Sequence, residues 1–351
     1  IGAGNPAEQL CPSNPLVASE KMNDLVGKDT TDAKDGAPAS RLTSGLCGAS
    51  TWDVDGTGAI GGGGSGTTFA ATDISTAERF AFVARAFIAR GYNTNYAAGY
   101  YFVRTQPTLD EGATADEFIT ISGAKGLGGS LGPLTQRVVD NAPVIDSLIP
   151  LLGDAGPGDN DEAILTDFNL GYSDTLQDST GAFDGTTPDP FAASSPELNV
   201  VFVQRGDFLT EAFNDGPAFV DQSNSTVKLV DTGTDMAAQV ACEEAIGGQC
   251  GQLATAASAT AATYFLQDTR DWFTVHSGAV NILFADGHVT QFADLDGDNF
   301  VNPGFPVDPS TAGFDAGRTG YVSDEVELPR ATVYSGIFLK GLPSKRSAFE
   351  D

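Results

Sequence analysis

The chain has 351 residues, 41% of them hydrophobic, which is enough to bury the core of one large domain or of two smaller ones. Its 47 aspartate and glutamate residues outweigh 18 lysine and arginine residues, so the formal net charge is −29 at pH 7. A field of this sign repels nucleic acid and anionic membrane surfaces, which excludes most polyanion-binding functions and favours cations as ligands.

The start of the chain and its hydropathy bear on location. No apolar run reaches the ~18–20 residues that span a bilayer, so we expect no membrane contact by this segment. Residues 1–6 lack the basic start and the apolar core of a signal peptide. We therefore interpret the chain as a processed or truncated product, with any anchoring segment upstream of Ile1, and expect it outside the cell or at the cell surface.

Four cysteines are present, and their spacing bears on how they are used. None forms a C-x-x-C pair and only two histidines accompany them, which argues against a thiolate zinc site. An even number of cysteines in an extracellular protein predicts two disulfides. Of the three pairings we favour the two short loops, and the alternative is four buried thiols. The favoured pairs are Cys11–Cys47 and Cys242–Cys250.

Two segments are predicted along the chain. Residues 1–66 are polar and rich in turn residues, with a short helix near 16–25. Their glycine run at 61–66 is consistent with a linker or with a tight surface loop. Residues 67–351 carry most of the apolar runs and are predicted to form one continuous head domain.

Helices and strands are predicted in mixed order within the head. Pro143 should break the helix predicted over 134–149, and glycines should interrupt the helix predicted over 236–265. Residues 153–190 are rich in Asp, Gly and Pro, which is typical of a long loop. Apolar spacing predicts helices over 75–90 and 134–149, and the helical propensity of an alanine-rich stretch predicts a third over 236–265. Strands are predicted over 92–103, 198–204 and 331–339. The fold class predicted is α+β, with a mostly antiparallel sheet, packed helices and long loops.

A hairpin is the strongest local signal. Residues 280–285 are apolar, Asp286-Gly287 follows, and residues 288–292 resume the strand pattern. Asp-Gly between two such runs predicts a two-residue type I′ turn, in which both positions take positive φ. Because both faces of the hairpin are largely apolar, we expect it in the core of a sheet.

His276 precedes Asp286 with nine residues between them, and Gly287 follows. This spacing, together with the hairpin, resembles the motif of the prepilin-type, pseudopilin-like His-x9-Asp-Gly family, which is abundant in planctomycetes. The stretches at 92–98, 150–154 and 302–307 also resemble family patterns. The resemblance therefore covers most of the chain after residue 92.

The resemblance implies a function and an assembly. It implies export by a pilin-like secretion machinery and a structural subunit, not an enzyme, that forms homo-oligomers in an extracellular filament or cell-surface assembly. The hydrophobic N-terminal helix of the family is missing from this sequence, which leaves the mode of assembly open. A minor pseudopilin that binds a partner protein is the first alternative, and a secreted carboxylate-dependent hydrolase is the second. His276 is interpreted as a core histidine held by Asp286 or by a backbone carbonyl.

A calcium loop is predicted directly after the hairpin. Oxygen ligands at positions one, three, five, seven and nine follow the spacing of a calcium-binding loop. The predicted ligands are the carboxylates of Asp294, Asp296 and Asp298, the carbonyl of Phe300 and the side chain of Asn302. The match is partial, because Gly297 stands at position four and not six, and Phe305 replaces the usual glutamate at position twelve, with Asp308 as a substitute. We expect Ca²⁺ in a stabilising role, and the alternative is an acidic turn in solvent.

Two other acidic stretches are weaker candidates. Asp53-x-Asp55-Gly-Thr resembles the nucleophile loop of haloacid-dehalogenase-type phosphatases, but residues 46–52 make a poor strand before it. A calcium turn and an ordinary loop are the alternatives there. A further candidate cation site, or a solvated loop, is formed by Asp154, Asp159, Asp161 and Glu162.

Overall fold

A computed structural model describes the chain in thirteen stretches of residues. They are 10–26, 83–84, 88, 93–111, 118–123, 129–158, 163–165, 169–172, 176–177, 183–188, 200–246, 255–256 and 265–339. Within these stretches, no helix has both the length and the apolar character needed to cross a membrane.

The helices and strands alternate irregularly along the chain. In chain order they are α1 (Lys21–Val26), β1 (Tyr96–Ala98), α2 (Tyr100–Val103), β2 (Thr108–Glu111), β3 (Phe118–Gly123), α3 (Gln136–Asp140), a 3₁₀ turn (Asp146–Leu148), β4 (Pro150–Asp154), β5 (Leu170–Tyr172), β6 (Leu176–Gln177), β7 (Phe183–Pro188), β8 (Val200–Val203), β9 (Asp215–Asp221), β10 (Thr226–Leu229), α4 (Ala237–Ile246), β11 (Thr255–Ala256), β12 (Leu266–Asp268), β13 (Ala279–Phe284), β14 (Val289–Ala293) and α5 (Ala316–Thr319). Most of the strand pairs are antiparallel, so the predicted α+β class is confirmed.

The chain divides into two compact units, each made of two separate segments. The first unit comprises residues 1–96 and 157–212, and the second comprises residues 97–156 and 213–351. These boundaries differ from the predicted division at residue 66.

The first unit holds α1 and two small antiparallel pairs, β5 with β8 and β6 with β7. Its core contains Met22 and Val26 of α1, Leu170 of β5 and Val203 of β8, together with further aliphatic side chains of the unit. A buried amide fixes the start of the unit, because Asn95 Oδ1 accepts the N–H of Cys11 at 2.7 Å and Asn95 Nδ2 donates to the carbonyl of Leu16 at 2.8 Å.

The second unit contains two four-stranded sheets. The first has the order β1-β4-β13-β14, and β13 is antiparallel to both β4 and β14. The second is centred on β9, which pairs with β10, β11 and β12. Aromatic rings fill the cores, and those that are almost fully buried include Trp272, Phe284, Phe305 and Tyr321.

Several predicted elements change at identifiable residues. The predicted helix over 134–149 is split into α3 and the 3₁₀ turn, with Pro143 between them as expected, because proline cannot donate the helical N–H bond. The predicted strand over 92–103 is only β1, followed by α2. The predicted helix over 75–90 lies mostly outside the described residues.

The predicted strand over 331–339 is wrong. This segment is irregular, yet it is buried from residue 333 onward, and side chains satisfy part of its backbone. Gln267 Nε2 donates to the carbonyls of Tyr334 and Gly336, and the carboxylate of Glu243 accepts the N–H groups of Ile337 and Phe338. Its backbone groups thus have bonds that a sheet would otherwise supply.

Candidate metal centre

The hairpin of β13 and β14 forms where the sequence predicts it, but its turn is of another type. Phe284 donates its N–H to the carbonyl of His288, and Gly287 donates to the carbonyl of Phe284, both at 2.9 Å. Gly287 has a φ of +90°, whereas Asp286 does not take positive φ. The loop therefore has three residues with glycine at the bulge, and the type I′ prediction is wrong. The Asp286 carboxylate favours this turn by accepting the N–H of His288 at 3.1 Å.

The two strands of the hairpin differ in burial. Four of the six residues of β13 are buried, whereas β14 buries Phe292 and exposes Val289, Gln291 and Ala293. The prediction that both strands lie in the sheet core therefore holds only for β13. β14 lies at the edge of its sheet, and the face that carries Val289, Gln291 and Ala293 is in solvent.

His276 pairs with a carboxylate that the sequence motif does not contain. Its Nε2 lies 3.0 Å from Oδ2 of Asp154, a fully buried residue at the end of β4. The same oxygen accepts the N–H of Asn281 at 2.9 Å. The predicted contact with Asp286 is wrong, because Asp286 is in contact with His288 instead. The motif histidine thus ties the chain before β13 to β4.

The three predicted carboxylate ligands converge after β14. One oxygen from each of Asp294, Asp296 and Asp298 lies within 4.8 Å of the others, and all three residues are half-buried. Carboxylate oxygens at this separation are the hard ligands that Ca²⁺ takes in proteins. The arrangement can therefore hold a divalent cation.

Backbone N–H groups shape this acidic loop. Asp294 accepts the N–H of Gly297 at 2.6 Å and that of Asn299 at 2.9 Å. Asp298 accepts the N–H of Phe300 at 2.7 Å and, from a later segment, that of Val322 at 3.0 Å. Burial, followed by the neighbouring carboxylates Asp296 and Asp294, raises the pKa of Asp298. A bound cation would oppose that effect.

The conformation at position six of the loop meets the calcium-loop requirement without glycine. Asn299 occupies this position with a φ of +72°, in the left-handed region, and Gly297 at position four has a φ of +84°. Asparagine tolerates this conformation better than most residues. Asn299 thus supplies at position six the left-handed conformation that glycine usually provides.

Asp296 has an oxygen available for a ligand. Its Oδ2 accepts the hydroxyl of Ser323. Its Oδ1 is buried and has no hydrogen-bond partner within the described part of the chain. A buried carboxylate oxygen without a donor is costly, and a cation at the centre of the three carboxylates would satisfy it.

Glu327 belongs to the same region and was not predicted. It is only 5% exposed, and its carboxylate accepts the N–H groups of Leu295 and Asn302. Burial, together with the charges of Asp296 and Asp298, raises its pKa to about 7. No local spacing links Glu327 to the loop, so the sequence carries no signal for it.

The other predicted ligands have structural contacts. Asn302 Oδ1 accepts the N–H groups of Gly304 and Phe305 at 2.9 and 2.7 Å, so it caps a turn. The Phe300 ring packs edge-on against Phe273 and Tyr321. Asp308, the substitute for position twelve, accepts the N–H and hydroxyl of Ser310. The carboxylates of Asp294, Asp296 and Asp298 thus converge, whereas the Phe300 carbonyl and the Asn302 side chain stay predictions as ligands.

Several predicted residues lie outside the described stretches. Cys11 is buried in the first unit and Cys242 lies in α4, whereas Cys47 and Cys250 are not described, so both disulfides stay predictions. The remaining undescribed candidates are Asp53, Asp55, Asp159, Asp161 and Glu162.

Comparison with protein-family models, curated proteins and solved structures finds no match. The resemblance to the His-x9-Asp-Gly family therefore rests on the residues named above, and function is argued from the geometry.

Proposed function

We propose that this chain is a structural subunit of an extracellular filament or cell-surface assembly, pseudopilin-like in kind. Ca²⁺ held by Asp294, Asp296 and Asp298 stabilises its head. The observation that carries the calcium site is the convergence of these three carboxylates, with a buried oxygen of Asp296 that has no partner among the described residues. The subunit role is supported by the resemblance to the His-x9-Asp-Gly family. The role assigned to the ion is structural, not catalytic.

Charge supports a cation at this loop. Three carboxylates within 4.8 Å repel one another, in a chain whose formal net charge is already −29. A divalent ion replaces that repulsion by attraction. It also fixes the chain that leaves β14, because Asp298 and Asp296 bond to Val322 and Ser323 in a later segment.

The use of the buried carboxylates supports a structural role. Glu327 bonds to the backbone of Leu295 and Asn302, and Glu243 bonds to the backbone of Ile337 and Phe338. Asp154 likewise bonds to the backbone N–H of Asn281. These acids hold distant segments of chain together, which is the work of a stable scaffold.

Thermal unfolding with Ca²⁺ and with chelator tests the ion. Ca²⁺ at a hundred times its Kd should stabilise the native state by about 2.7 kcal/mol, which raises Tm by several degrees. In Asp296→Asn the isosteric amide removes one charge from the loop. We therefore expect an unchanged or higher Tm in chelator, and a much smaller gain with Ca²⁺.

The matched control is Asp140→Asn, which removes the same charge from an exposed acid at the end of α3. It should keep the full gain in Tm with Ca²⁺. A wild-type Tm that is the same in Ca²⁺ and in chelator would contradict the calcium site.

Immunogold electron microscopy of producing cells tests the assembly. An antibody against this head should label ordered filaments or a surface array. Label confined to the cell interior would contradict the proposed role, whatever the result with Ca²⁺.

A further inference from the structure

The sheet β1-β4-β13-β14 has two edge strands, and only one of them is covered by other described residues. At one end, β1 is bridged by Phe213, and the N–H of Asn214 donates to the carbonyl of Ala98 at 2.8 Å. At the other end, β14 has β13 as its one strand neighbour among the described residues. β14 is therefore the open edge of this sheet.

The phase of the hairpin shows which backbone groups of β14 point outward. In an antiparallel pair, alternate residues exchange hydrogen bonds with the neighbouring strand. The bond from Phe284 to His288 and that from Asp294 to Gly278 set this alternation, so Thr290 and Phe292 bond toward β13. The N–H and C=O groups of residues 289, 291 and 293 then point away from the sheet.

This edge lacks the usual protection. Val289, Gln291 and Ala293 are exposed, with Val289 at 60%, and none of them is charged. Natural edge strands are commonly protected by lysine, proline or a bulge, and β14 has none of these between 289 and 293. An exposed, uncharged and regular edge is a template for a further strand.

We propose that β14 pairs antiparallel with β14 of a second copy of this chain, around a twofold axis at Gln291. Val289 of each copy then lies opposite Ala293 of the other, and the two copies share one continuous sheet. This inference rests on the proposed function as a self-assembling subunit, and it names one contact of such an assembly, in which other surfaces link the dimers.

The pattern of the edge is what identifies a second copy as the occupant. Three outward residues centred on Gln291 are self-complementary in an antiparallel register, and each of the three residue pairs exchanges two hydrogen bonds. In this register Asp294 of one copy lies opposite His288 of the other, so no two carboxylates meet within the paired residues 288–294. Since the β1 end is covered, head-to-tail pairing through this sheet is not available, and the contact closes as a dimer.

The acidic loop sets the conditions for pairing. The same register places the loop around Asp296 near Asp286 of the second copy, where like charges repel. Ca²⁺ in the loop and added salt reduce that repulsion. Dimerisation should therefore strengthen in Ca²⁺ and weaken in chelator at low ionic strength.

Sedimentation velocity of the full chain over a range of concentrations tests the pairing. In Ca²⁺ we expect a reversible monomer–dimer equilibrium. Gln291→Pro removes an outward N–H without removing a bond to β13, so it should weaken the dimer at least tenfold. Gln291→Ala is the matched control, because it removes the side chain and keeps the N–H, and it should change the dimer Kd by no more than about threefold.

A second pair of variants covers a failure of the proline variant to fold. Gln291→Lys places two like charges on the twofold axis and should prevent pairing, although it lowers the net repulsion between copies. Asn281→Lys puts the same charge on β13, opposite Gln291 in the sheet, and should leave the dimer intact.

Three outcomes would overturn the pairing. They are a chain that stays monomeric at all concentrations in Ca²⁺, a dimer that survives both Gln291→Pro and Gln291→Lys, and a dimer that Asn281→Lys weakens more than Gln291→Lys. The gain in Tm with Ca²⁺ is measured separately on the same variants. A wild type that stays monomeric while Ca²⁺ still raises its Tm contradicts this inference alone, and a wild-type dimer whose Tm does not rise with Ca²⁺ contradicts the calcium site alone.

Discussion

Gly287 shows how one backbone angle can dictate a residue. A Cβ at this position would meet no atom within 4 Å, so space does not require glycine here. Its φ of +90° does, because side chains disfavour that region. The requirement is therefore purely conformational.

Substitution of Gly287 tests this reasoning. Gly287→Ala should lower the free energy of unfolding by about 1–2 kcal/mol, the strain of positive φ. Gly287→Asn should cost less, since asparagine tolerates the left-handed region. Urea unfolding of the three proteins gives the comparison, and equal stability of all three would show that the turn adopts another conformation.

The pair of His276 and Asp154 is the second feature at this scale. Asp154 is fully buried and His276 is partly buried, so each group helps to satisfy the other in a site with little water. We expect a coupling free energy of about 1 kcal/mol or more between them. A double-mutant cycle with Asp154→Ala and His276→Ala measures it. Effects that add to within about 0.5 kcal/mol would mean that the contact contributes nothing of its own.

Local sequence predicts some of these residue-level features and not others. Asp286-Gly287 marks a hairpin turn, because few residues favour its backbone angles. The turn type was not predicted, because it is favoured by a side-chain contact in which the Asp286 carboxylate accepts the N–H of His288. The contact between His276 and Asp154 was not predicted either. β4 lies far earlier in the chain than β13, and the two strands come together through sheet pairing.

At the scale of elements, α4 is connected to the irregular segment 333–339 by one carboxylate. Glu243 is buried and accepts four donors, two of them backbone N–H groups. The donors are Gln239 Nε2, the hydroxyl of Tyr334, and the N–H groups of Ile337 and Phe338. Burial raises the pKa of Glu243 to about 7, although these hydrogen bonds oppose the shift.

This pKa predicts a dependence of stability on pH. Glu243 binds its proton more tightly in the folded chain, where its pKa is about 7, than at its ordinary value of 4.5. The stabilisation is full below about pH 4.5 and is lost as pH rises through about 7, with a magnitude of ~3 kcal/mol. The hydroxyl of Tyr334 accommodates both forms, because it also lies 2.8 Å from the carbonyl of Phe338 and can donate there instead.

Urea unfolding between pH 4.5 and 7.5 measures this dependence in the wild type and in Glu243→Gln. The variant should lose the fall in stability across this range that is due to Glu243. It should also be less stable by about 1–3 kcal/mol, because an amide NH₂ cannot accept the N–H of Phe338. A variant that keeps the wild-type slope would assign the titration to another group.

The prediction of helices and strands succeeded where a residue within the element, or next to it in sequence, determines where the element ends. Pro143 separates α3 from the 3₁₀ turn by its missing N–H, and the apolar runs around the turn at Gly287 became β13 and β14. It failed for residues 331–339, whose apolar content resembles a strand. There the bonds to the backbone come from Gln267 and Glu243, side chains whose positions depend on the tertiary fold.

For the whole molecule, the net charge of −29 is the dominant electrostatic fact. Mutual repulsion of carboxylates destabilises a compact state, and salt screens it over a Debye length of about 10 Å at 0.1 M. In chelator, Tm should therefore rise with NaCl. At matched ionic strength Ca²⁺ should raise Tm beyond NaCl, by the amount that Asp296→Asn removes. Equal Tm values in the two salts at matched ionic strength would mean that Ca²⁺ acts only by screening charge and not by binding at a site.

The way the two units share the chain has a consequence for how the protein is made. Each unit is built from two segments of the chain. In the sequence, residues 97–156 of the second unit come between the two segments of the first. The first unit therefore cannot be completed before residue 212 has been synthesised, and the second begins before the first is finished. At about 5–20 residues per second, residues 1–96 wait several seconds on the ribosome for the segment that completes their core. A nascent chain that stops at residue 156 contains neither unit whole, so a chaperone or an export channel would receive both of them incomplete.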